Sequence, residues 1–210
     1  MQLHDTYNVT DSLVRGYVIM KDQNNNVIFQ KSNMIVASGR DAIFNTILKS
    51  AIAAGMGEQQ QDIGQTFSHF SRIRFGNGTS ITTPETTSIK EILDASDEKK
   101  NIIYDIPLVS TTVTDVKLQG SSVNISNDID NNIRHILFEI TVPAEQPAEI
   151  TELGLFFRTT ETNGDSVSDN GGNAKIHSNE KLFSRVVFDP IYCGANAAIT
   201  ELKLNYYLYF

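Results

Sequence analysis

Residues 133–142 read Ile-Arg-His-Ile-Leu-Phe-Glu-Ile-Thr-Val, and this stretch decides the fold class. Ile136, Phe138, Ile140 and Val142 occupy every second position, the period of a β-strand that buries one face. The same character predicts strands at 70–75, 101–108, 111–118, 121–126, 150–158, 182–188 and 198–210. Residues 12–36 predict two more strands joined by a turn at 24–26, because Asn tolerates the backbone angles of a tight hairpin. Strands at this density predict a mainly β fold, either an antiparallel β-sandwich or a partly open barrel.

One segment has a helical rather than a strand period. Apolar side chains follow one another at spacings of three and four, at Phe44, Ile47, Leu48, Ala51 and Ile52. This spacing predicts one apolar stripe on an inserted helix near 39–54, with Ser38 as its cap and Gly55 at its end.

Three stretches are rich in polar residues and turn formers and predict long surface loops. They lie near 55–69, 76–88 and 159–180. The last is nearly free of large apolar groups and lies between two strong strands, so it is expected to be an exposed, mobile hairpin tip. With these loops included, the chain is expected to form one domain over 1–210.

Composition limits the partners of the protein. Among 210 residues, 17 are basic and 25 are acidic, which gives a net charge of −8. Such a surface repels phosphate backbones and anionic lipids, so neither nucleic acid nor membrane is expected as a partner. The sequence has neither an N-terminal targeting pattern nor an apolar run near the ~18 residues of a membrane span, and it predicts a soluble, unprocessed protein.

The residues that commonly carry chemistry are scattered. The histidines at 4, 69, 135 and 177 lack the spacing that places two imidazoles on one metal, and Cys193 is the single cysteine. Gly76-Asn77-Gly78 lacks the third glycine of a dinucleotide loop. The acidic runs at 128–132 and 163–171 favour solvated turns over a complete calcium loop, although a calcium ion in one of them stays possible. We expect no enzymatic activity, no cofactor and no resident metal site.

The C-terminal strand differs from the others because both of its faces are apolar. Leu202, Leu204, Tyr206, Leu208 and Phe210 would share one face, and Tyr207 and Tyr209 would lie on the other. Such a strand is either central in a covered sheet or meets another subunit with one face. The residues alone leave both alternatives open.

Four motifs resemble a family of tailed-bacteriophage virion proteins, the N-terminal modules of tail-collar fibre proteins and related neck or baseplate components. Residues 33–41, Asn-Met-Ile-Val-Ala-Ser-Gly-Arg-Asp, are similar to the pattern N-x-I-V-x-x-G-R that precedes a helix. Residues 73–87 are similar to the I-x-x-G-x-G-T-x-x-P-x-x-T signature. Residues 150–157 and 182–188 are similar to the paired I-x-E-I-G-L-F and L-F-A-R strands. The four in this order are more specific than any one of them.

The resemblance implies a structural protein of the virion, in the tail, neck or collar, or baseplate, which docks to other virion proteins and supports or attaches fibres. A homo-oligomer and contact with a fibre or a host-surface receptor are also expected. The candidate partner contacts are Tyr206, Tyr207, Tyr209 and Phe210, together with Asn77, Thr79 and Thr83 in the loop that follows residue 75. The alternative function is a receptor- or carbohydrate-binding β-sandwich, in which aromatic rings stack on sugars.

Overall fold

The computed structural model describes residues 14–53, 66–78, 82, 102–108, 122–130, 133–144, 147–160, 167–169, 175–177 and 179–210. Within them lie eleven strands and one helix. The strands are β1 Arg15–Lys21, β2 Val27–Ile35, β3 Phe67–Gly76, β4 Ile102–Pro107, β5 Ser122–Asp130, β6 Ile133–Pro143, β7 Ala148–Thr159, β8 Val167–Asp169, β9 Lys175–His177, β10 Glu180–Cys193 and β11 Glu201–Tyr209. The helix α1 spans Ala37–Ala53.

Nine strands form one antiparallel sheet that curls into a half-barrel, in the order β4-β3-β7-β10-β2-β1-β11-β6-β5. This confirms the mainly β fold class, and the partly open barrel is the architecture that describes it. Buried side chains alternate along β1 and β11, and the core contains Phe75, Phe138, Leu155, Phe183 and Leu204, all nearly inaccessible to solvent.

Strand β2 joins the two halves of the sheet. Its residues up to Asn33 pair with β1, whereas Met34 and Ile35 pair with Arg185 and Ser184 of β10. The turn between β1 and β2 has Asn25 at a φ of 65°, which confirms the predicted asparagine hairpin. Because β2 changes its partner near Asn33, the half of the sheet that contains β1 and the half that contains β10 are joined only through β2.

The helix is confirmed, but the expected role of Ser38 is wrong. Ser38 lies inside α1 and donates to the backbone carbonyl of Leu182 at 2.6 Å, so it fastens the helix to β10 instead of capping it. The predicted apolar stripe is not fully covered, because Phe44 is 62% exposed and Ile47 is 60% exposed. Among the side chains of α1 that are described, Ala42 is buried and Thr46 accepts the backbone N–H of Phe67 in β3.

Some expected loops are ordered as strands. The loop at 55–69 ends earlier than predicted, because β3 already begins at Phe67. The stretch 159–180 contains the hairpin of β8 and β9, and Thr159 and Glu180 belong to the flanking strands. Asp128–Asp130 lie in β5 rather than in a turn. The strand predicted at 111–118 and most of the loop at 76–88 lie outside the described residues.

Candidate functional site

The C-terminal strand β11 is central in the sheet, with β1 on one side and β6 on the other. Its inward side chains, Leu202, Leu204, Tyr206 and Leu208, are buried. Tyr206 therefore offers no surface to a partner, and we remove it from the candidate contacts. A hydroxyl that enters the core needs partners there, and that of Tyr206 finds them in Asn33 and Ser184. Burial raises the pKa of Tyr206, so the phenol is neutral.

The outward side of β11 carries an aromatic cluster that extends over its two neighbours. Tyr207 lies opposite Tyr17 of β1, and Tyr209 lies opposite His135 of β6, so the four side chains share one face. The rings of Tyr207 and Tyr209 are stacked with centroids 5.9 Å apart, and the His135 ring lies 5.7 Å from that of Tyr209. All four side chains are partly exposed. We call Tyr17, His135, Tyr207 and Tyr209 the outer aromatic surface.

Tyr209 contributes a neutral hydroxyl group to this surface. Partial burial, followed by the proximity of Tyr207 and Tyr17, raises the pKa of Tyr209 above its ordinary value. The phenol of Tyr209 is therefore neutral at physiological pH. Phe210, which is 50% exposed, follows directly after β11. The surface thus combines aromatic area with hydroxyl groups, the composition typical of the centre of a protein interface.

The loop predicted to make contacts begins with a residue held firmly in the fold. Asn77 is exposed, whereas Gly78 is buried, and its N–H donates to Glu152 Oε1 at 2.7 Å. Thr151 donates to the Gly78 carbonyl at 2.7 Å. A Cβ at residue 78 would collide with the Glu152 carboxylate, so a larger residue here would have to displace that carboxylate. Thr79 and Thr83 lie outside the described residues.

Glu152 also receives the guanidinium of Arg185. Arg185 Nε and Nη2 both lie 2.7 Å from Glu152 Oε2, and neither side chain is more than 1% exposed. The glutamate belongs to the 150–157 motif, the arginine to the 182–188 motif, and Gly78 to the G-x-G-T motif. Three motifs that are distant in sequence therefore meet at one buried ion pair.

The remaining motif, at 33–41, joins the same region through β10. Gly39 packs against Phe183, where a Cβ would lie 2.7 Å from the backbone carbonyl oxygen. Asn33 donates to Ser184 Oγ at 3.1 Å and to the buried hydroxyl of Tyr206. We call Asn33, Gly39, Gly78, Glu152, Ser184 and Arg185 the motif junction. The spacing of the four motifs thus reflects one set of tertiary contacts that fixes how the helix, the loop and both halves of the sheet meet.

A second ionic cluster lies on the outward face of β3. Arg72 and Arg74 share this face, as their alternation with Ile73 predicts. Arg72 contacts Asp105 at 2.7 Å and Glu180 at 2.9 Å, and Arg74 contacts the same two carboxylates at 3.2 and 2.9 Å. The Arg74 guanidinium also lies over the Phe156 ring, 4.6 Å from its centroid. Two guanidinium groups and two carboxylates balance in charge, so the cluster is a structural network.

Sequence reasoning missed the carboxylates of both networks. Two arginines spaced by two on an otherwise apolar strand were the available signal, since buried guanidinium groups need carboxylates on neighbouring strands. Which carboxylate pairs with which arginine depends on strand order: Asp105 lies on β4, which borders β3, whereas Glu180 lies on β10, which is separated from β3 by β7 in the sheet.

The remaining reactive side chains are placed for packing. Cys193 is buried, and its sulfur lies 3.7 Å from the Tyr104 hydroxyl and 3.7 Å from the Ala148 carbonyl. Burial raises the pKa of the Cys193 thiol, which disfavours the nucleophilic thiolate. In the described ranges, no group of three or more His, Cys, Asp or Glu side chains is placed to hold a metal ion.

Comparisons with known proteins add no relative. No family model, no curated protein and no solved structure matches this chain. Among the residues whose positions are described, no helix is long and apolar enough to cross a membrane.

Proposed function

We propose that this chain is a structural protein of a tailed-phage virion, in the tail, neck or baseplate, which docks to other virion proteins and supports or attaches fibres. The observation that carries the proposal is the outer aromatic surface on β1, β11 and β6. The four sequence motifs supply the phage context, and the motif junction gives them a common physical reason. A protein whose task is assembly needs a rigid module with an apolar contact face, and these features provide both.

Burial of the outer aromatic surface would drive association. The four side chains of this surface are only partly exposed, so each can lose only part of its area on association, but tyrosine is enriched among the residues that dominate binding energy. An interface of standard size needs about 800 Å² from each partner, so Tyr17, Tyr207, Tyr209 and His135 would form its centre. Phe210 lies next in sequence to Tyr209 and would extend it. We infer contact with a second copy of this chain or with another virion protein.

Charge supports a position against protein rather than against the genome. The net charge of −8 opposes packing on DNA, and the outer aromatic surface consists of three tyrosines and one histidine. We therefore place the protein in the virion, outside the DNA channel.

The alternative is a receptor- or carbohydrate-binding module, and the same aromatic surface is the reason to retain it. Sugar rings stack on exposed aromatic faces. The rings of Tyr207 and Tyr209 are stacked on each other, so their facing sides are already covered. This arrangement favours a protein partner over a glycan.

Light scattering coupled to size-exclusion chromatography tests the proposal. The wild-type chain is expected to form a multimer, and the double variant Tyr207→Ser, Tyr209→Ser is expected to shift toward monomer. Tyr192 is the matched control, because it is 63% exposed and lies on β10, away from this surface. Tyr192→Ser should leave the multimer intact. A monomeric wild type that binds a glycan array, with binding lost in the double variant, would support the alternative function instead.

A further inference from the structure

The sheet has an opening between β2 and β10. Of the residues in β2, only Met34 and Ile35 pair with β10, and the register does not continue to Asn33 and beyond. Strand β10 turns away here, because Phe188, Asp189 and Pro190 lie in an irregular stretch between Val187 and Ile191 where its pairing with β7 shifts. Both strands are described throughout, so the interruption belongs to the fold.

A cleft of about 570 Å³ fills this opening. Ile28, Phe29 and Lys31 of β2 line one side, Val187 to Ile191 of β10 line the other, and Thr151 lies between. The rings of Phe29 and Phe188 meet across it with centroids 4.8 Å apart and form an apolar floor. The exposed side chains of Lys31 and Asp189 place one charge of each sign at the rim.

The two walls differ in what they offer a ligand. On the β10 side, Pro190 has no N–H and the irregular stretch bends the strand, and both features protect an edge from pairing. On the β2 side, Phe29 to Asn33 pair in regular register with β1 along one edge only, and the register shifts at Ile28. The other edge of β2 carries backbone groups that an added strand can pair with. Edge pairing of this kind is selective for extended peptides.

We propose that the β2–β10 cleft binds an extended peptide segment of a partner protein, which adds as a strand to the free edge of β2. The segment alternates apolar and polar side chains, and its apolar side chains lie on the face that carries Phe29, against the rings of Phe29 and Phe188. At about 3.3 Å per residue, the seven residues from Val27 to Asn33 match a segment of comparable length. This inference does not depend on the outer aromatic surface, which lies on other strands.

A display library of linear twelve-residue peptides, selected against the intact chain, provides the probe. Selected peptides should alternate apolar and polar residues, and their binding should slow hydrogen exchange at alternate amides of Val27–Asn33. Lys31→Trp changes an exposed side chain and narrows the cleft, so it should weaken binding about tenfold or more. Ile28→Glu places a charge on the same wall of the cleft and should also weaken peptide binding.

Gln30→Trp is the matched control, because Gln30 is exposed on the same strand and does not line the cleft. It should leave peptide affinity unchanged, as should the double variant Tyr207→Ser, Tyr209→Ser. The thermal midpoint of Lys31→Trp checks that it folds, which keeps the test valid if Ile28→Glu does not. The proposal is overturned if no selected peptide protects β2 amides, or if Lys31→Trp and Gln30→Trp bind equally well.

Discussion

Replacement of Arg185 by methionine tests the motif junction most severely. The substitution removes the guanidinium but keeps much of the apolar volume of the side chain. The fully buried Glu152 carboxylate keeps its hydrogen bond from the Gly78 N–H at 2.7 Å. It loses the Arg185 guanidinium, which lies 2.7 Å away in the wild type. A buried charge that loses its partner is not rescued by solvent, so the cost greatly exceeds that of a surface ion pair.

The expected loss is about 3–5 kcal/mol in the free energy of unfolding, the range for breaking a buried pair by removal of one partner. With a urea m-value near 3 kcal/mol/M, the unfolding midpoint would fall by roughly 1–1.7 M. Equilibrium urea denaturation followed by circular dichroism measures this shift. Arg40→Met is the control, because Arg40 is exposed on α1, and its change should stay within about 0.5 kcal/mol.

A double-mutant cycle separates the charge from general packing. Glu152→Gln keeps an oxygen for Gly78 and removes the charge, so Arg185→Met should cost less in that background than in the wild type. The expected coupling energy exceeds about 1 kcal/mol. A single-variant loss below about 1 kcal/mol, or strict additivity in the cycle, would refute the claim that this pair joins the motifs.

Three further predictions concern other contacts. Gly39→Ala should lower the free energy of unfolding by about 1–3 kcal/mol, because its Cβ would press on the Phe183 backbone; thermal denaturation measures it. Tyr206→Phe should lower the free energy of unfolding by about 1–3 kcal/mol, because the buried Ser184 hydroxyl loses its hydrogen bond with the Tyr206 hydroxyl. Urea denaturation measures this loss, and a change below about 0.5 kcal/mol would contradict the prediction. Burial lowers the pKa of His69, so the folded state resists its protonation and stability should fall as pH drops through about 6.5; His69→Asn should lose less stability between pH 7 and 5.

The strands and the helix could be predicted from sequence because their periods are local. Alternation at 133–142 and the three-and-four spacing after Gly39 depend only on neighbouring residues, and both elements are confirmed. The exposure of Phe44 could not be predicted, because helical spacing shows that a stripe exists and not how much of it the sheet covers. The same applies to the hairpin of β8 and β9, whose three-residue strands are too short to show a period.

The candidate site could be predicted only in part: positions within one strand follow from the sequence, whereas contacts between strands depend on the order of the strands in the sheet. Alternation alone separates Tyr206 from Tyr207 and Tyr209, and the structure buries the first and leaves the other two partly exposed. The contributions of Tyr17 and His135 depend on strand order, because β1 and β6 are distant from β11 in sequence. The cleft was not predictable, since it arises where β2 changes its pairing partner, a property of the assembled sheet.

Quantitative peptide mass spectrometry of purified phage particles tests the assembly function most directly. The particles would come from the genome that encodes this chain and would be separated from host protein on a density gradient. We expect peptides of this chain in the particle band, at a fixed copy number relative to the other tail or baseplate proteins. Intact infectious particles that lack the chain would contradict the proposed function.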